Sequence, residues 1–260
     1  MSQNYHAKNK EIFEKTIKEC ETTYKKETSV LRTEGTLVYH EEIPEKTVNR
    51  FPQTKFFVED KSTVQLVEEL GEKGKKLCVL NFADGETPGG LVLSGESTQE
   101  ESLCRCSNLY FSLLQPKCEL EFYYYNEKIG SRSSNRVIYS KDVLFYKNDV
   151  EERYFEKPVK ADVITCPAPL GIRDLDELYE ASKKRISNFL KTAKENGAQI
   201  LILGAWGCGA FRGDPVQVSR AFKDALSADT AFEEVHFGII APMEGDKRNF
   251  VEFEKTFAGV

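Results

Sequence analysis

The chain has 260 residues, 40% apolar and 30% charged, with both signs mixed and a formal net charge of −6. That is enough apolar material for one sizeable domain, or for one domain with an added segment. The acidic balance disfavours binding to a bare nucleic-acid backbone, but it leaves room for a small anionic ligand held by backbone N–H groups.

Residues 7–27 are rich in Lys and Glu, and Ile12, Phe13 and Ile17 fall at nearly helical spacing, so an amphipathic helix is expected there. Thr36–Tyr39 reads as a short strand and Lys55–Glu59 as a better one. Ser62 or Thr63 then caps a helix carrying Val64, Leu66, Val67 and Leu70, which stops near Gly71 and Gly74. The run from Leu77 to Ala83 is continuously apolar apart from Asn81, as in a strand buried on both faces. A loop with Gly85, Pro88, Gly89, Gly90 and Gly95 follows, and a helix opens near Thr98. After Pro116 the pattern is aromatic and irregular, with Tyr123, Tyr124 and Tyr125 expected in loop and core packing. Arg136–Ser140 and Val143–Tyr146 read as a strand pair, and Asp162–Cys166 as another buried strand. Leu175–Asn196 is a long amphipathic helix, and Gln199–Leu203 a third buried strand running into a second glycine-rich loop. A helix from about Asp214 has Pro215 in its first turn, and Val235–Ile240 and Asp246–Phe257 give a last strand and helix.

Buried strands alternating with helices predict a three-layer α/β fold with a largely parallel or mixed sheet. Residues 1–50 are expected to form an N-terminal helical extension packed on the core, and residues 51–260 the main domain. Ligands of such sheets sit beyond the carboxyl ends of the strands. Both glycine-rich loops follow strands directly, so they are expected side by side.

The seven cysteines are Cys20, Cys78, Cys104, Cys106, Cys118, Cys166 and Cys208. Their odd number and their place in apolar runs argue against a disulfide framework and for a reducing compartment. Cys104 and Cys106 stand two apart on an expected helix, point to nearly opposite faces and cannot share a metal. The start of the chain lacks an apolar signal core, and no run approaches a membrane span, so cytosol or nucleus is expected. Cys208 on a turn before a helix invites a nucleophile reading, but His6, His40 and His236 lie in no site-like string to serve as its base or as metal ligands.

The first loop continues into Thr98-Gln99-Glu100-Glu101. Spacing alone makes this a capping box, with Thr98 as N-cap and Glu101 in the third helical position. Glu100 and Glu101 are adjacent on a helix, about 100° apart, and so cannot flank one bond symmetrically. The wider string changes the balance. Gly89-Gly90-Leu91, seven residues, then Gln99-Glu100-Glu101, with Asn81-Phe82-Ala83 before and Leu103-Cys104-Arg105 after, closely resembles the bacterial-type poly(ADP-ribose) glycohydrolases. These are macrodomain-like proteins whose pattern is three glycines, a spacer and Gln-Glu-Glu. The resemblance spans roughly residues 50–245, including Asp162–Pro169 and Gly204-Ala205-Trp206-Gly207-Cys208-Gly209-Ala210-Phe211. The departure is Leu91, where the pattern has its third glycine.

The resemblance implies a macrodomain-like fold and hydrolysis of ribose–ribose bonds in poly(ADP-ribose), reversing ADP-ribosylation of modified proteins. It implies Glu101 as acid and then base, and Glu100 orienting the ribose or the linked acceptor. It also implies substrate binding by Asn81, Gly89, Gly90 and Gln99, and by Gly204, Ala205, Gly207, Cys208, Gly209, Ala210 and Phe211 of a diphosphate loop. No cofactor or metal is required, no membrane partner is expected, and a monomer is. An ADP-ribose reader without activity, or a hydrolase of mono-ADP-ribose, are the rival expectations.

Overall fold

The buried runs of the sequence become neighbouring strands of one seven-stranded sheet. The structure, a computed structural model, describes residues 2–40, 43–44, 47–130, 134–148, 153–228, 230–241 and 244–259. Ser2–Glu21 (α1) and Lys25–Thr33 (α2) precede the short strand Thr36–Tyr39 (β1). Lys55–Glu59 (β2) leads into Thr63–Gly71 (α3). Leu77–Phe82 (β3) leads into the first loop, a 3₁₀ turn at Val92–Ser94 and the helix Gln99–Cys106 (α4). Leu109–Leu113 (α5), Pro116–Cys118 (α6), a π-helical turn at Glu119–Tyr123 and Tyr124–Ile129 (α7) follow. Then come the long strands Val137–Lys147 (β4) and Tyr154–Cys166 (β5). Leu175–Glu195 (α8), Ile200–Leu203 (β6), Pro215–Leu226 (α9), Glu234–Gly238 (β7) and Glu244–Phe257 (α10) complete the order.

The strand order is β1-β4-β5-β3-β6-β7-β2. The five strands from β5 to β2 run parallel, while β4 and β1 add an antiparallel edge. Alternation along each central strand sorts side chains between two cores. Leu80, Ile164 and Leu203 point to the layer of α8, α9 and α10, where Phe189, Phe222 and Phe253 pack. Val79, Val163 and Ile202 point the other way, to Phe13 of α1, Val64 of α3 and Leu103 of α4. This is the expected three-layer arrangement around a mixed sheet. Among the described residues, no helix is long and apolar enough to cross a membrane.

Two readings are corrected. The segment after Pro116 is helical rather than irregular; its π turn inserts a residue and breaks the 3.6-residue spacing that marks a helix in sequence. Within it Tyr123 is buried, Tyr124 is exposed, and Tyr125 lies under the Arg136 guanidinium at 3.3 Å. Residues 136–146 do not form a strand pair. They lie in one bent strand whose register slips between Ser140 and Val143, where Asp142 takes φ 53° and donates its N–H to Asp162 at 2.9 Å. The expected strand Thr36–Tyr39 forms as β1 and pairs with β4 at the sheet edge, after the helices of the N-terminal segment.

Candidate active site

The carboxyl ends of β3, β5, β6 and β7 open onto a cavity of about 480 Å³. Its walls come from the start of α3, the start of α4, the loop after β6 and the residues just after β7. The α3 start is fixed by a capping box in which the Ser62 hydroxyl accepts from Gln65 N and Gln65 Oε1 accepts from Ser62 N.

The second box, expected at Thr98, does not form. The Thr98 side chain makes no cap hydrogen bond to the helix backbone. Its hydroxyl donates instead to Glu101 Oε2, and the other oxygen, Oε1, accepts from Leu91 N at 2.9 Å. The Glu101 carboxylate has thus left the helix end for loop 1, where two donors fix it. Gly90 makes this approach geometrically feasible. A Cβ there would stand 2.5 Å from Glu101 Oε1 and 3.1 Å from Glu100 Oε2, and the residue holds φ +58°. The two carboxyl groups therefore converge on Gly90, although their Cα–Cβ bonds diverge on the helix. Gly89, at φ +71°, lies against the Tyr110 ring in the same tight approach.

Glu100 is buried, at 2% exposure, and accepts from Asn81 Nδ2 at 3.0 Å and Asp84 N at 2.7 Å. Burial pushes its carboxyl up to about 8, with the nearby Glu101 charge adding to the shift. Burial thus favours the protonated form of Glu100. Gln99 fastens α4 to the sheet: its Oε1 accepts from Phe82 N at 2.9 Å, and its Nε2 donates to Leu80 O at 2.7 Å. The loop is also tied from outside. Asn126 donates to Gly85 O at 2.8 Å, and Asn9 of α1 to Gly95 O at 2.8 Å.

Loop 2 is built differently. Trp206 is fully buried, and its indole N–H donates to Cys166 O at 2.9 Å. Around that anchor the backbone turns back on itself, with Gly213 N donating to Gly207 O at 2.8 Å and Arg212 N to Gly209 O at 2.9 Å. Among the described residues, no hydrogen bond occupies the N–H groups of Gly207, Gly209, Ala210 and Phe211. Such a run of free donors is a cradle for phosphate oxygens. Asp214 then caps α9, accepting from Val216 N and Gln217 N.

Of the expected substrate contacts, Gln99, Ala205, Gly207, Gly209, Ala210 and Phe211 line the cavity. Phe211 also packs on the core, so both of its expected roles meet in one ring. The others stand behind the wall. Asn81 has no exposed surface and holds Glu100 and Thr165, which makes it a support rather than a contact. Gly204 is buried where a Cβ would meet Gly238 O at 2.6 Å, so its smallness serves strand packing. Gly90 serves the carboxylates, and Gly89 lets the loop lie against the Tyr110 ring. Cys208 does not line the cavity, and burial pushes its thiol up to about 12, the opposite of an activated nucleophile. Each histidine meets a carboxylate elsewhere: His236 bonds Glu59 and Glu234, His40 bonds Glu121, and His6 lies 3.8 Å from Glu96.

Sequence reasoning missed Tyr5, Asn249 and the ligand-side role of Thr98, all of which line the cavity. Tyr5 and Asn249 reach it only because α1 and α10 pack over the site, and nothing local in the sequence signals that.

The chain matches the family model of the microbial-type PARG catalytic domain over residues 5–148, more than half its length and including Glu100 and Glu101. It belongs to that family. Membership makes it a glycosidase of the poly(ADP-ribose) glycohydrolase type. Solved structures extend the likeness past the second loop. Poly(ADP-ribose) glycohydrolase from Thermomonospora curvata superposes with a TM-score of 0.85 at 26% identity, covering 96% of this chain and 100% of that one. A second structure of the Thermomonospora protein, bound to the inhibitor ADP-HPD, gives 0.83 at 27%, with the same coverage. The Deinococcus radiodurans enzyme in complex with ADP-ribose gives 0.81 at 30%, covering 90% of this chain and 98% of that one. Among curated proteins none matches.

Proposed function

We propose that this chain hydrolyses the ribose–ribose O-glycosidic bonds of poly(ADP-ribose) with Glu101 as the acid and base. The observation that carries this reading is the Glu101 carboxylate, itself buried, drawn out of its helix and fixed by Leu91 N and by Thr98 Oγ1, whose residue lines the cavity. An ADP-ribose unit in that cavity lays its diphosphate on the free N–H groups of loop 2. The Thr98 hydroxyl, able to donate or accept, can partner Glu101 both as carboxylate and as acid.

Glu101 then gives its proton to the leaving ribose oxygen as the C1–O bond breaks. The distal ribose becomes an oxocarbenium ion facing the ligand's own diphosphate. Water adds to C1, and Glu101 takes the proton that water loses, returning to its starting state. The products are ADP-ribose and a chain end with a free hydroxyl. Glu100, neutral at physiological pH, hydrogen-bonds the ribose without adding charge beside the cation.

Leu91 does not line the cavity, and its φ of −99° needs no glycine. Both facts favour an active site over a silent ADP-ribose reader. The site is complete within one chain, which supports a monomer. Residues 1–50 act as a cover, with Tyr5 at the cavity rim, over a catalytic unit of residues 51–260. Seven unpaired cysteines favour a reducing compartment, cytosol or nucleus, and ADP-ribosylated proteins as the carriers of the substrate.

The test is ADP-ribose release from poly(ADP-ribose) by wild type and Glu101→Gln, alongside ADP-ribose affinity by calorimetry. Loss of a positioned acid–base group is expected to lower turnover about 10²–10⁴-fold with affinity kept. Affinity without release in the wild type would establish the reader instead.

A further inference from the structure

The cavity holds the unit to be released, and the scissile bond lies at Glu101, so whatever leaves must sit on the far side of that carboxylate from the cavity. The Leu91 backbone meets that carboxylate from loop 1, and Leu93 follows on the same short turn. The Leu91 N–H is 2.9 Å from Glu101 Oε1, which places the Leu91 side chain within one residue of the proton to be transferred. Neither leucine lines the cavity. Leu91 is 53% and Leu93 67% exposed, although Val92 between them is fully buried and anchors the turn. The turn is also held by its backbone, Ser94 N donating to Leu91 O at 2.9 Å, and by Gly95, whose lack of a side chain admits α1. Two large apolar side chains are thus displayed on the turn whose backbone holds Glu101, next to a site proposed to bind phosphate and sugar. Large exposed apolar groups at a rim mark contact surfaces.

We infer that Leu91 and Leu93 form the leaving-group subsite, an apolar lip that packs against the purine face of the ADP-ribose unit next to the scissile bond. This rests on the glycohydrolase reading above. Only a polymeric substrate presents an aromatic face at that place; a single ADP-ribose on an acidic or hydroxyl side chain presents none. The lip therefore favours the polymer over mono-ADP-ribosylated protein. A glycine at 91, the residue of the family pattern, would leave half of the lip missing.

The test uses Leu91→Ala and Leu93→Ser, singly and together. Alanine keeps the N–H that holds Glu101. KM for poly(ADP-ribose) is expected to rise about three- to tenfold in the double variant, in line with the apolar area two half-covered leucines lose. The Kd for free ADP-ribose, which carries no leaving group, is expected to stay within about twofold of wild type, since the variants do not touch the cavity. An unchanged KM overturns the subsite, as does a fall in kcat alone, which would place the leucines in support of Glu101. A parallel loss of ADP-ribose affinity also overturns it, by showing general damage. Failure of the parent reading looks different: the wild type itself would release nothing from the polymer, and the lip would fall with it.

Discussion

The two glycine-rich loops follow adjacent parallel strands and face one cavity, yet they hold opposite kinds of chemistry. Loop 1 is dense with side-chain bonds. Glu100, Glu101, Gln99, Asn81, Asp84 and Thr98 bond one another or nearby backbone, and Gly90 lets the two carboxylates in. Loop 2 offers almost no side chain. It is a backbone turn hung from Trp206, with its N–H groups left free. Two loops that share a sequence signal, glycines between a strand and a helix, thus divide the work. In the proposed function, loop 1 reacts and loop 2 binds.

The sharpest way to break that division is to give each loop the same small change. Gly90→Ala puts a methyl 2.5 Å from Glu101 Oε1 at a residue with φ +58°. Displacing a catalytic carboxylate by an ångström costs about 10²-fold in rate. Turnover of poly(ADP-ribose) is therefore expected to fall about 10²-fold, with ADP-ribose affinity nearly intact by calorimetry. Wild-type turnover in this variant would show that the Gly90 approach does not set the position of Glu101.

Gly207→Ala is the counterpart. Its backbone holds φ +78°, and the new methyl would meet Ala168 Cβ at 2.6 Å. The left-handed conformation alone costs a side chain about 1–2 kcal/mol, and relief of the contact shifts the free N–H groups. The Kd for ADP-ribose is expected to rise about tenfold, equal to about 1.4 kcal/mol, while kcat at saturation stays within a few-fold. If Gly207→Ala lost kcat and kept affinity, the division between the loops would be wrong.

A pH experiment sharpens the contrast inside loop 1. Burial pushes the folded Glu100 carboxyl up to about 8, whereas the unfolded chain releases the proton near the ordinary value of 4.5. Between those values the native state binds the extra proton, so this group's contribution to stability falls as pH rises, and the loss is complete above about pH 8. Glu100→Gln removes the titration while keeping one acceptor for Asn81 or Asp84. Comparing melting temperatures at pH 5 and pH 8, the wild type is expected to lose more than the variant, by about 2–4 °C per kcal/mol. Parallel losses would mean that Glu100 is ionised in the folded protein at neutral pH.

Much of this contrast was legible in the sequence, for reasons that differ by region. The central strands were clear because burial on both faces makes them continuous apolar runs, as in Leu77–Leu80 and Ile200–Leu203. The loops were clear because glycines mark them, and the family resemblance they carry is borne out by the family match and the structures. What spacing could not show was where a side chain turns. Thr98 and Glu101 satisfy the capping-box spacing, but a competing donor, Leu91 N, comes from a loop ten residues upstream and takes the carboxylate. The first half of β5 was hidden by Pro158, which falls where the β4 register is irregular and β3 does not yet pair. Tyr5 and Asn249 depended wholly on tertiary packing.

The smallest expected effect tests loop 2 from the other direction. If that loop acts through backbone alone, its one reactive side chain is dispensable. Cys208 sits in the turn, half-buried, with its thiol directed to Trp206 O at 3.7 Å and pushed up to about 12 by burial. Almost none of it is thiolate at neutral pH, and each histidine is paired with carboxylates elsewhere. Cys208→Ala keeps the φ and ψ and loses only a weak sulfur contact. Both kcat and the ADP-ribose Kd are expected to stay within about twofold, inside the scatter of a surface change. A thiol reagent that inactivates the wild type but spares Cys208→Ala would show only that a bulky adduct blocks the cradle. A large fall in kcat in Cys208→Ala itself would instead put a side chain of loop 2 into the reaction and end the division of work between the two loops.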